Sequence, residues 1–179
     1  MKTLVDRLAS YAEYHRDKRN IATHFVGIPM ILVGTQAALA KVGIGPLNLA
    51  VGATALATRY YRKLDPNFGS AMGAVLGATA AIGSMIAAMP LPLWAGTAGA
   101  LFVGGWALQF LGHYFEGKKP AFLDDIKGLL DGPLFLVAEV AFALGLAPEL
   151  RAEVEARAGK ARWGKVEAEH APNLAHAQA

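Results

Sequence analysis

Three histidines, His15, His24 and His113, are the residues of this chain best placed to do chemistry together. The chain has no cysteine, so any metal it holds must take nitrogen and oxygen ligands. Trp106, Gln109, His113 and Glu116 follow one another at intervals of three or four residues, which draws them into one stripe on a helix. A His and a Glu three apart can address one ion, as in carboxylate-bridged bundles, although Glu precedes His there. Interfacial hydrogen bonding at a membrane boundary would account for that stripe equally well. Glu139 stands alone inside the apolar run Pro133–Leu144. An ionisable group at such depth costs on the order of 3 kcal/mol by insertion scales and needs a partner, whether a metal, a histidine proton or an arginine.

The elements that must position these residues are membrane elements. Of the 179 residues, 54% are hydrophobic, and the 17% that are charged cluster at 2–19, 59–65, 116–127 and 149–169. A spanning helix needs roughly 20 mainly apolar residues. Ile21–Ala40, the shorter Ile44–Tyr60, Phe68–Met89 and Leu91–Leu111 are four candidates, the last two joined by a tight turn at Pro90–Pro92. A fifth stretch, Pro133–Ala147, reads as a short tilted or re-entrant segment. Gly69, Gly73 and Gly77, four residues apart, predict close helix approach in lipid. Leu4–Tyr14 predicts an amphipathic surface helix, with Leu4, Leu8 and Tyr11 inward and Asp6, Arg7 and Glu13 opposite. The expected fold is therefore all-α, a polytopic membrane bundle. Residues 1–158 form a single membrane-embedded domain, and 159–179, which carry His170 and His176, an unstructured tail.

Loop charge sets the orientation. Lys2, Arg7, Arg16, Lys18 and Arg19 precede the first span, Arg59, Arg62 and Lys63 follow the second, and Lys118, Lys119 and Lys127 follow the fourth. The opposite loops hold only Lys41. The N-terminus then faces the cytoplasm, and His15, His24 and His113 fall at one cytoplasmic boundary. Asn20 is placed to cap the first span, one turn before His24. The net charge of +3 suits a membrane surface, and no basic patch interleaved with aromatics argues for nucleic acid. Histidines with a carboxylate and vacant positions suit non-haem Fe(II) acting on O2, with zinc, manganese and copper open. Burial in a bilayer suggests a lipid substrate that enters sideways.

Three ordered motifs carry a resemblance. They are Tyr11-x3-His15-x4-Asn20-x3-His24-x2-Gly27-x-Pro29, then Trp106-x2-Gln109-Phe-x-Gly112-His113-x-Phe115-Glu116-x3-Pro120-Ala121, then Pro133-x-Phe135-x3-Glu139. Together, over about Leu4 to Leu150, they resemble the family of the yeast endoplasmic-reticulum 2-hydroxy-fatty-acid dioxygenase, which has many bacterial members. The resemblance implies an Fe(II)-dependent α-oxidation in which a 2-hydroxy fatty acid and O2 give a fatty acid one carbon shorter. It also implies that His15, His24 and His113 are essential iron ligands; the expected location is a bacterial inner membrane, with the site towards the cytoplasm as the loop charges set it. Glu116 or Glu139 would be the carboxylate ligand and the other would orient a histidine. Where yeast-like members carry consecutive arginines before Pro120, this chain has Gly117-Lys118-Lys119. Lys118 or Lys119 would hold the substrate carboxylate as point charges, without arginine's bidentate fork. Tyr11, Asn20 and Gln109 are expected as supporting donors. Competing readings are a di-iron lipid hydroxylase, for which the histidines are too few, and a non-catalytic lipid-binding or transport protein with Glu139 as its proton or ion site.

Overall fold

The computed structural model describes residues 2–45 and 47–164. His170 and His176 lie outside the described residues. The described residues are all-α apart from one minimal hairpin. Its helices are α1 (Leu4–Ala12), α2 (Lys18–Ala40), α3 (Leu49–Leu64), α4 (Pro66–Ala87), α5 (Leu91–Glu116), α6 (Gly128–Ala143) and α7 (Pro148–Ala158). Strands β1 (Gly43–Ile44) and β2 (Leu47–Asn48) pair antiparallel between α2 and α3.

Three helices, α2, α4 and α5, are long and apolar enough to cross a membrane. The expected span Ile44–Tyr60 is instead a hairpin followed by a 16-residue helix. Gly43 and Gly45 take positive φ, a conformation open to glycine and costly to other residues, and so delay the helix start to Leu49. At 1.5 Å per residue α3 reaches roughly 24 Å, short of the hydrocarbon core. The segment expected at Pro133–Ala147 begins earlier, at Gly128. It bends by 119° into α7, so that the two together could make at most one broken span.

Helix α2 is the hub, packed along α5 and α4 and touching α3 and α6. Glycines permit that. A Cβ on Gly105 would stand 2.7 Å from the Gly27 carbonyl oxygen, and one on Gly34 would stand 2.9 Å from that of Ala98. Close backbone approach replaces apolar side-chain burial as the adhesive in such pairs. Of the expected Gly69-Gly73-Gly77 repeat, Gly69 meets the backbone of Tyr61 and Arg62, and Gly73 meets Thr58. Nothing among the described residues lies within 4 Å of a Cβ on Gly77.

Helix α1 opens with a capping box, Thr3 and Asp6 each bonding the other's backbone N–H. It is not a surface helix with Arg7 outward. Arg7 is buried, donating to Asp131 of α6 at 3.0 Å and lying over the Tyr60 ring. Arg7 and Tyr11 are one turn apart and therefore share the inward face. Arg7→Ala leaves the half-buried Asp131 carboxylate without its partner, and we expect a loss of about 1.5–3 kcal/mol, that of a hydrogen bond to a charged group, read as a lowered thermal midpoint in detergent. Asp131→Asn in the same background should restore part of it.

Asp17, not Asn20, caps α2, its carboxylate accepting from the Arg19 N–H. Residues 159–164 of the expected tail lie against this cap: Lys18 and Arg162 exchange backbone bonds with Arg162 and Arg16, and the Gly159 carbonyl accepts from Arg16 Nη1 at 2.6 Å.

Candidate metal centre

The link between α1 and α2 carries His15, the second turn of α2 carries His24, and the last turn of α5 carries His113. The three rings converge. One nitrogen from each falls within 4.8 Å of the others, and all three residues are buried. Ring centroids stand 4.5, 4.9 and 5.1 Å apart, edge to face.

The tautomers follow from the hydrogen bonds. His15 Nδ1 lies 2.7 Å from the Tyr11 carbonyl, and His24 Nδ1 lies 2.9 Å from that of Asn20. A carbonyl can only accept, so each Nδ1 carries the proton. Both Nε2 atoms are then bare lone pairs, and they face each other at 3.1 Å. Burial first, then His24, holds the His15 imidazole well below the ordinary histidine value, so protonation is a poor remedy for the repulsion. A metal ion fits. Two nitrogens each about 2.1 Å from one ion at a right angle stand about 3.0 Å apart. His113 Nδ1 has no hydrogen-bond partner among the described residues. Neutral imidazoles whose other nitrogen is tethered to a carbonyl are the usual ligand form.

The carboxylates divide differently from expectation. Glu116 is 2% exposed and folds over the start of α2. Its oxygens accept from the Arg16 N–H at 3.0 Å, the Asp17 N–H at 2.8 Å and Asn20 Nδ2 at 3.0 Å. It clamps the segment that carries His15, and it is not among the residues that converge. Glu139 likewise does not join the histidines. It faces Arg16 Nη2 at 3.9 Å, in a separate polar cavity that Arg151, Glu155 and Lys160 also line.

Beside the histidines lies a narrow apolar cleft, whose free space together with its open mouth is about 500 Å3. His24 and His113 line it with Tyr11, Gln109, Trp106 and Ile28. Tyr11 stacks flat on His15, centroids 4.0 Å apart, and burial raises its phenol above the ordinary value, keeping the hydroxyl protonated. Gln109 is 5% exposed and its amide nitrogen has no partner among the described residues. Lys118 and Lys119 are elsewhere, on the surface: Lys118 Nζ donates to the Glu13 carbonyl at 2.8 Å and Lys119 pairs with Asp124.

Three contributors carry no role assigned from the sequence. Phe135 packs on both Tyr11 and His15, but in an apolar run it looks like any core aromatic. Arg16 and Asp17 act through backbone N–H groups, which no residue type announces.

A family described as 2-hydroxy-palmitic acid dioxygenase Mpo1-like matches residues 1–144. The chain belongs to this family. The match spans the whole centre, from Tyr11 to Glu139. Among curated proteins, the 2-hydroxy-palmitic acid dioxygenase MPO1 of Saccharomyces cerevisiae is 29% identical over 155 residues, covering 85% of this chain and 87% of the yeast protein. No solved structure matches. Membership of the Mpo1-like family agrees with the resemblance carried by the three sequence motifs.

Proposed function

We propose that this protein is an Fe(II)-dependent dioxygenase of fatty-acid α-oxidation, embedded in a bacterial inner membrane with its centre towards the cytoplasm. It converts a 2-hydroxy fatty acid and O2 to the fatty acid one carbon shorter, with the carboxyl carbon released as CO2 together with one water, which balances every atom. The observation that carries this reading is the pair of bare Nε2 lone pairs of His15 and His24 facing each other beside His113, next to an apolar cleft that His24 and His113 line. Such a set is suited to hold a cation. The yeast relative's name supplies the substrate class.

His15, His24 and His113 would hold the iron, leaving vacant positions as three-ligand oxygen-activating sites do. Bound there, Fe(II) supplies the one-electron chemistry that ground-state O2 requires and a Lewis acid for the substrate. The protein's own residues do the rest. Gln109 offers its unpartnered amide to the substrate carboxylate. Tyr11 fixes the His15 ring plane by stacking and presents a protonated hydroxyl to the cleft. Glu116 and Asn20 hold the His15 segment in register. Glu139 braces α6 against Arg16. The apolar walls exclude water from the reacting carbons and accept the alkyl chain.

The test is incubation of anaerobically iron-loaded protein with 2-hydroxypalmitate, followed by admission of O2. Pentadecanoic acid should form, with one iron bound per chain, and His113→Ala should abolish both. Full activity in an iron-free preparation would overturn the reading.

A further inference from the structure

Two cavities share a wall. The cleft beside the histidines and a second, apolar groove are both lined by Ile28, Leu32 and Pro133. The groove runs between α2, α4 and α6, with about 750 Å3 of free space when its open mouth is included. Phe25, Val75 and Val140 border it and are exposed, so it opens on the apolar flank of the bundle. Ile28 and Pro133 are buried, whereas Leu32 is only half-buried.

We infer that the substrate's alkyl chain leaves the central cleft between Leu32 and Pro133 and comes to rest in this outer groove, so that Leu32 governs which chain lengths are used. The inference rests on the proposed activity for its occupant, a 2-hydroxy acid with its head at the histidines.

Reach decides where the wall matters. Leu32 is eight residues beyond His24 on α2, roughly 12 Å along the axis. An extended chain advances roughly 1.2 Å per bond, as the extended backbone does at 3.3–3.6 Å per three-bond residue. About ten bonds therefore bring a chain from the histidines to Leu32. An eight-carbon acid stays inside the central cleft, and a sixteen-carbon acid must pass the wall. The other exit is unsuitable. A third cavity shares Tyr11, Ala121 and Gly128 with the cleft, but Glu13, Asp124, Asp125 and Asp131 line it. Methylenes placed there would gain no dry surface and would strip water from carboxylates. The outer groove offers only apolar side chains and opens towards the lipid tails, so a chain could slide in from the bilayer without crossing a polar layer.

Two measurements test this. Leu32→Trp plugs the wall. Its kcat/KM for 2-hydroxypalmitate should fall at least tenfold relative to that for 2-hydroxyoctanoate, and Leu32→Ala should leave both in use. Equal slowing of the two acids, or no change in their ratio, would overturn the inference. The second readout needs no turnover. Metal-free protein in detergent is irradiated with a 2-hydroxy acid of sixteen carbons carrying a diazirine at its last carbon, and the adducts are mapped by mass spectrometry. Adducts should collect on Leu32, Val75 and Val140. Adducts on Glu13, Tyr14 or Asp124, or scattered equally over α3 and the outer face of α5, would overturn the groove. Failure of the wild type to turn over either acid would count against the dioxygenase reading, and the adduct map would still judge the groove.

Discussion

Replacing His24 by leucine is expected to abolish iron binding and turnover while leaving the metal-free protein at least as stable as the metal-free wild type. The sign follows from the lone pairs. Without an ion, His15 and His24 present bare Nε2 atoms to each other at 3.1 Å in a fully buried setting, an arrangement that destabilises the empty protein. Leucine removes the repulsion and fills much of the same space. With an ion the balance reverses. Ligand that binds only the folded state adds RT ln(1 + [L]/Kd), about 2.7 kcal/mol at a hundredfold excess over Kd. Anaerobic Fe(II) should therefore raise the thermal midpoint of the wild type and leave that of His24→Leu where it was. Loss of a direct ligand should weaken iron by more than the 10–100-fold that loss of an outer partner costs. A variant that still showed an iron-dependent midpoint shift of wild-type size would exclude His24 from the centre. A metal-free His24→Leu far less stable than the metal-free wild type would show the histidine pair to be structural.

Glu116→Ala is the second large effect, and its signature differs. Glu116 accepts from the Arg16 and Asp17 N–H groups and from Asn20, and hydrogen bonds to a charged group are worth about 1.5–3 kcal/mol each. Removing the carboxylate leaves the Arg16 and Asp17 N–H groups buried with no acceptor and Asn20 Nδ2 with only the Tyr14 carbonyl. Two unsatisfied buried donors at about 1–3 kcal/mol each give an expected destabilisation of about 2–5 kcal/mol. The segment that loosens is the one that carries His15. Iron affinity should fall 10–100-fold, as for a positioning group, and not vanish. Metal-free Glu116→Ala should lose thermal stability relative to the metal-free wild type, opposite in sign to His24→Leu. That opposition, read by calorimetry and iron titration on the same preparations, separates a clamp from a ligand. If Glu116→Ala lost iron completely while keeping its metal-free stability, Glu116 would be a ligand after all.

Much of the architecture was legible because the bilayer imposes a length. Uninterrupted apolar runs marked α2, α4 and α5 to within a few residues. Ile44–Tyr60 misled because its hydropathy is that of a span, while Gly43 and Gly45 divert the chain into a hairpin first. Arg7 misled because its charge suggested solvent, although helical spacing places it beside Tyr11. Its partner Asp131 is 124 residues away and leaves no local trace.

The histidines were legible as a set: the zero cysteine count restricts the ligands, and the loop charges put His15, His24 and His113 at one boundary. Their tautomers were not, since these depend on the Tyr11 and Asn20 carbonyls. The carboxylates show the same division. Sequence could mark Glu116 and Glu139 as acids in unusual places, each in need of a partner. Only the packing of α5 over the start of α2 gives Glu116 two backbone N–H groups, and only the return of the chain through α6 gives Glu139 an arginine. Residue type and spacing determined the long apolar helices and the candidate nitrogen ligands, because both depend on what one segment carries. The tertiary structure decided which lone pairs face each other, which carboxylates are already engaged and where the cleft opens, because each of these depends on atoms that meet from opposite ends of the chain.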